Sequence, residues 1–149
     1  DMALFDSRTY EEYHGNSIPT ATSVPGAELV YRFADLVPSP DTLVVVNCGG
    51  RTRSIIGTQS LIDAGVPNRV VSLKNGTQGW ALAGYPVLKG ETRRAPVPSD
   101  QGQAAARAAA AGCRTSATAY LASTRSRRLE LPGGRPVLSG VSGSLRAGP

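Results

Sequence analysis

The sequence predicts an α/β fold, a parallel β-sheet flanked by helices, with a functional loop at the C-terminal end of a central strand. Three observations carry this expectation. Leu43-Val44-Val45-Val46 is an unbroken apolar run, as in a strand buried on both faces. A Gly-Gly loop follows, and then a stretch from Ile55 to Ala64 with apolar residues at helical spacing. Val70-Val71-Ser72-Leu73 reads as another buried strand. Strand, helix and strand in that order form a βαβ unit, so the sheet is parallel with right-handed crossovers. Ligands of such sheets bind beyond the carboxyl ends of the strands.

The remaining elements follow in chain order. Met2-Ala3-Leu4-Phe5 is a short apolar strand. Thr9 with Glu12 three residues on matches a capping box, and Gly15 suits the helix stop. His14, the single histidine, falls at the end of this short helix and is read as a surface residue. Asn16 to Pro19 and Ser23 to Gly26 read as turns. Pro25 can stand in the first turn of a helix, and Ala27 to Leu36 carries an apolar stripe. Pro38-Ser39-Pro40-Asp41 ends it, and the strand over residues 42–47 follows. Gly65 closes the next helix and Pro67 prevents its return. Lys74 to Thr77 is a turn, and a short helix from Gln78 ends at Gly84-Tyr85-Pro86.

The chemistry concentrates in Cys48-Gly49-Gly50-Arg51-Thr52-Arg53-Ser54. A free thiol titrates near ~8.5, and cations or a helix N-terminus lower it to roughly 3.5–7.5. Arg51 and Arg53 supply positive charge. The first turn of the helix beyond supplies unpaired N–H groups. Gly49 and Gly50 let the backbone curl so that successive amides point inward, as in an anion nest. The expected product is a thiolate in a cup that binds an anionic group.

Composition narrows the alternatives. No run of eighteen apolar residues spans a membrane, and no charged-then-apolar leader opens the chain. Cys48 and Cys113 lie 65 residues apart without metal-type spacing, which points to a reducing cytoplasm and to no metal or other cofactor. The net charge of +5 is uneven: residues 1–90 balance to −1 and residues 91–149 to +6. Nucleic-acid binding would need aromatics among those arginines, and the basic segment offers Tyr120 alone.

The ordered motifs resemble a rhodanese homology domain over about residues 2–90. Asp6-Ser7-Arg8 with Glu12-Tyr13 resembles the family's D-x-R…E-Y, and Ile18-Pro19 with Ala21 its G-H-I-P-G-A. Cys48 to Arg53 resembles its C-x4-R loop. Leu73 to Gly76 and Trp80 to Val87 resemble its closing L-x-G-G…W-x-x-A-G-x-P-V. Asn16-Ser17 and Asn75 depart from the pattern. The resemblance implies a sulfurtransferase. Cys48 takes sulfur from a small anionic donor such as thiosulfate and passes it, as a persulfide, to a thiol or cyanide. Amides of Gly49 to Arg53 hold the sulfur, Arg51 and Arg53 attract the donor, and Trp80 walls the pocket or fills the core. Asp6 and Arg8 are implied to be structural partners near the loop. A non-catalytic module or persulfide carrier is the alternative. A cysteine phosphatase is disfavoured because related phosphatases resemble C-x5-R, and a mercaptopyruvate enzyme because its loop is less basic.

Residues 91–149 are expected as linker and basic tail. Arg93 to Asp100 reads as linker, 104–111 as an alanine-rich helix, and 132–149 as disordered. Cys113 to Ala122 resembles the opening of a following rhodanese unit. It is offered as a segment that docks on this unit or on that of a homodimer mate or another rhodanese unit.

Overall fold

A computed structural model of the chain describes residues 1–108, 110 and 111. The expectations for Cys113 to Ala122 and for residues 132–149 lie outside the described residues.

The chain forms strand β1 (Met2–Asp6), helix α1 (Tyr10–Gly15), strand β2 (Thr22–Ser23), helix α2 (Leu29–Leu36), strand β3 (Leu43–Asn47), helix α3 (Thr52–Asp63), strand β4 (Val70–Ser72) and helix α4 (Gly76–Leu82). The sheet order is β2-β1-β3-β4, and every neighbouring pair is parallel. In register, Asp6 lies beside Asn47 and Val46 beside Ser72, so the carboxyl ends of β1, β3 and β4 line up at one edge.

Alternation along β1 and β3 divides two cores. Phe5, Val44 and Val46 pack with Leu29, Phe33 and Leu61 of α2 and α3. Leu4 and Val45 pack on the other face with Tyr13 of α1 and Trp80 of α4. Both faces are covered, which is why β3 is apolar without interruption. Val44 and Val46 are fully buried, and each such side chain contributes about 1.5–3 kcal/mol.

Several boundaries differ from the expectation. Ser23, read as part of a turn, pairs with Asp6 in β2. Residues 26–28 form a 3-10 turn before α2 begins. Helix α1 ends on an extended Asn16 rather than on a left-handed glycine. Helix α3 starts at Thr52 and takes in Arg53 and Ser54, and α4 starts at Gly76. The capping box is formed: Glu12 N donates to Thr9 Oγ1, and Thr9 N donates to Glu12 Oε2 at 3.2 Å. Gly65 takes φ +74 just past α3, where its lack of a Cβ lets the chain turn.

Leu88 is bonded to the segment after α1, and residues 93–99 are bonded to β2 and α2. Ser17 and Leu88 form an antiparallel bridge, and Ser23 donates to Arg93 O at 3.0 Å while Ala95 donates back to Ser23 O at 3.1 Å. Arg32 donates to the carbonyls of Ala95 and Pro96, and Ser99 N donates to Asp35 at 2.8 Å. Residues 100–108 are helical. Among the described residues no helix is long and apolar enough to cross a membrane, and no cluster of His, Cys, Asp or Glu could hold a metal.

Candidate active site

Strand β3 ends on Asn47 and delivers Cys48 to the aligned strand ends. Beneath the loop lies a buried polar frame. The Asp6 carboxylate accepts from Arg8 Nε at 2.9 Å and Nη2 at 2.7 Å, from Arg8 N at 3.1 Å and from Asn47 Nδ2 at 3.2 Å. Arg8 also donates to Asn16 Oδ1 at 2.8 Å and to Asn16 O. Ser7 donates to Asn47 O through its backbone N and its hydroxyl, which joins β1 to β3 at the point where the loop departs. Asp6 and Arg8 thus hold the structural place that the sequence implied. A Cβ added at Gly49 would lie 3.7 Å from Arg8 Cδ, so Arg8 also forms part of the floor under the loop.

Helix α4 clamps the loop from the other side. Thr77 N donates to Cys48 O at 2.8 Å, Thr77 Oγ1 to the same oxygen at 3.3 Å, and Gln78 N to Gly49 O at 3.0 Å. The carbonyls of Cys48 and Gly49 are thereby turned toward α4. Gly76, at φ +53, has no room for a side chain, because a Cβ there would meet Cys48 O at 2.1 Å and Gly50 O at 2.8 Å. Among the described residues, the backbone N–H groups of Gly49, Gly50 and Arg51 donate to no protein acceptor. Free amides on a curled loop are what an anion nest requires.

The sulfur lies beside the first turn of α3. Cys48 Sγ lies 3.5 Å from Ser54 Oγ, the Ser54 hydroxyl donates to Arg51 O at 2.9 Å, and Ser72 Oγ donates to Ser54 Oγ at 2.9 Å. Ser54 is on the first turn of α3 and fully buried. Cys48 is only 2% exposed, so the thiol is buried against α3 rather than standing in the open cup expected from the sequence. The clamp from α4 and the packing of α3 over β3 account for this depth.

The two arginines part company. Arg51 and Thr52 are exposed at the rim. Arg53 is 47% exposed and engages Glu12 of α1 through both terminal nitrogens, Nη1 to Oε2 at 2.5 Å and Nη2 to Oε1 at 2.7 Å. Its guanidinium lies over Gly49, with Nη2 3.8 Å from the position of a Cβ there. Hydrogen bonding to Arg53 holds the Glu12 carboxyl down at about 2, and Glu12 in turn raises the Arg53 pKa. Trp80 is half-buried and packs against the cluster of Leu4, Tyr13, Ile18 and Ala21, its ring centroid 4.7 Å from that of Tyr85, and it donates to Pro86 O. Those contacts place it at the margin of the core. His14 is exposed, with Nδ1 3.1 Å from Glu91 O. Glu12, Ser72 and Thr77 are the site residues that sequence reasoning missed. Glu12 was visible as a cap, but its partner is 41 positions away.

This fold and loop define the class. The rhodanese-like domain family matches over residues 1–83, and the chain belongs to that family. Thiosulfate sulfurtransferase from Pseudomonas aeruginosa superposes with a TM-score of 0.71 at 48% identity, over 83% of this chain and 25% of that one. A rhodanese with anions from E. coli superposes at 0.53 and 26% identity, over 60% of this chain and all of that one. The HTH-type transcriptional regulator Rv0324 of Mycobacterium tuberculosis is 34% identical over 90 residues, which are 60% of this chain and 39% of the regulator. The chain therefore spans a quarter of the sulfurtransferase and about two fifths of the regulator.

Proposed function

We propose that this chain is a sulfurtransferase unit that carries sulfane sulfur on Cys48. The observation that carries the reading is the buried sulfur that opens a loop whose amides at Gly49, Gly50 and Arg51 donate to no acceptor among the described residues. The Cys48 thiolate attacks the outer sulfur of thiosulfate. The sulfur–sulfur bond of the donor breaks, sulfite leaves with the bonding pair, and Cys48 becomes a persulfide anion. Cyanide or a thiolate then attacks the outer sulfur, takes it away, and returns Cys48 as thiolate. The free amides and Arg51 meet the negative charge of the donor and of the persulfide. Ser54, 3.5 Å from Sγ, supplies a hydroxyl that can turn its hydrogen from Arg51 O toward an anionic sulfur. The likeness to a thiosulfate sulfurtransferase and to a rhodanese with anions supports an anionic donor. Coverage of a quarter of the former supports a place as one unit of a larger protein, and two cysteines without disulfide or metal spacing support action in a reducing cytoplasm.

The 2% exposure of Cys48 favours a second reading, a persulfide carrier or sensing module with slow turnover. The likeness to part of a transcriptional regulator fits it. A thiosulfate:cyanide assay with intact-mass detection separates the two. The wild type is expected to gain about 32 Da from thiosulfate, one sulfur atom as persulfide, and to produce thiocyanate. Cys48→Ser is expected to do neither. Mass gain without turnover selects the carrier, and turnover of an aryl phosphate without mass gain would overturn both readings.

A further inference from the structure

We infer that Glu12 sets the donor affinity of the loop by occupying Arg53, an inference that rests on the sulfurtransferase reading. Arg53 fills the arginine place of the C-x4-R loop and its Nη2 lies 3.8 Å from where a Gly49 Cβ would stand, yet both of its terminal nitrogens are spent on one carboxylate. That carboxylate is held from its own side. It accepts from Thr9 N at 3.2 Å and from Thr9 Oγ1 at 3.3 Å, so α1 presents it in a fixed position at the rim. An approaching dianion therefore meets a neutralised pair over Gly49, and Arg51 and the amides supply the net attraction. Glu12 remains charged throughout the pH range in which thiosulfate is a dianion, because Arg53 holds its carboxyl near 2. Glu12 is thus a positioning residue that keeps Arg53 fastened across the loop and weakens the hold on the donor.

The variant Glu12→Gln tests this without dismantling α1, since glutamine at the same position also completes a capping box. Thiosulfate KM is expected to fall about two- to five-fold, the range for one exposed ion pair, with a smaller change in kcat. Arg53→Gln is expected to raise KM, because it leaves the carboxylate unneutralised at the rim. The double variant is expected to return toward wild type, a recovery that a merely structural role would not produce. The gain should be smaller for an aryl thiosulfonate, a donor with one negative charge. Thiosulfate binding by calorimetry to Cys48→Ser and to Cys48→Ser/Glu12→Gln reads the affinity without turnover. Failure of transfer in the wild type would therefore sink the sulfurtransferase reading while leaving this inference measurable. Equal affinities, weaker binding in the glutamine protein, or no binding by either protein would overturn it.

Discussion

Arg8 is 5% exposed and Asp6 is fully buried, so neither charge has water to fall back on. Each is satisfied by the other: the forked guanidinium engages both Asp6 oxygens and spends its remaining donors on Asn16. Removing one member of such a pair strands the other charge, at about 3–5 kcal/mol. Arg8→Ala is therefore expected to lower the urea unfolding free energy by about that amount. Arg8→Lys should recover little of it, because an ammonium cannot reproduce the fork. A loss within about 0.5 kcal/mol, as for an ordinary surface change, would show that the pair does not hold the frame. At this scale the D-x-R motif was readable as structural from the sequence. The partner of Arg53 was not, because a capping residue advertises its local bond and not a bond made 41 positions away.

Helix α4 acts on the loop as an element. Its first residues carry no catalytic group, yet they donate to Cys48 O and Gly49 O and so decide which way the loop's amides point. The close approach depends on Gly76. Gly76→Ala adds a Cβ 2.1 Å from a backbone oxygen at φ +53, combining left-handed strain of about 1–3 kcal/mol with overpacking of similar size. We expect a fall of several degrees or more in thermal midpoint, together with loss of persulfide formation. Gly57→Ala, whose Cβ would press on the movable Leu29 Cδ1, serves as comparison and should keep the chemistry. The strands, the long helices and the loop position were legible because periodicity and apolar runs are local signals. Helix starts at Thr52 and Gly76 were not, because neither Arg51 nor Asn75 makes a side-chain cap that would mark the start in sequence. The two-residue β2 was hidden as well, since pairing with β1 makes it a strand.

For the whole molecule, Glu12, Asp35 and Tyr13 bear on stability at the acid and alkaline ends of the pH scale. Glu12, ordinarily near 4.5, is held at about 2 in the folded chain. A depressed carboxyl stabilises the fold above its unfolded value, and that contribution is lost as pH falls from about 4.5 to about 2. Because the pair is half exposed, its share is at most about 1 kcal/mol. Hydrogen bonds from Ser99, the side chain foremost, lower Asp35 and act in the same direction. Burial pushes Tyr13 above its ordinary 10, so its share is present below pH 10 and is lost as pH rises through the higher folded value. The thermal midpoint is expected to fall as pH drops below about 4.5 and as it rises above about 10. In Glu12→Gln the acid-side fall should be shallower. A midpoint that rises on acidification would contradict the assignment.

The order of apolar runs, glycines and loop residues determined by itself that this chain is an α/β domain with a thiol at the end of a buried strand. Those features are written locally, in side-chain volume, periodicity and backbone freedom. Only the tertiary structure decided how deep the sulfur lies, that Ser72 reaches Ser54, and that Arg53 over Gly49 is paired with Glu12. These depend on which distant groups the sheet register and helix packing bring within hydrogen-bond reach, and no window of sequence contains both partners.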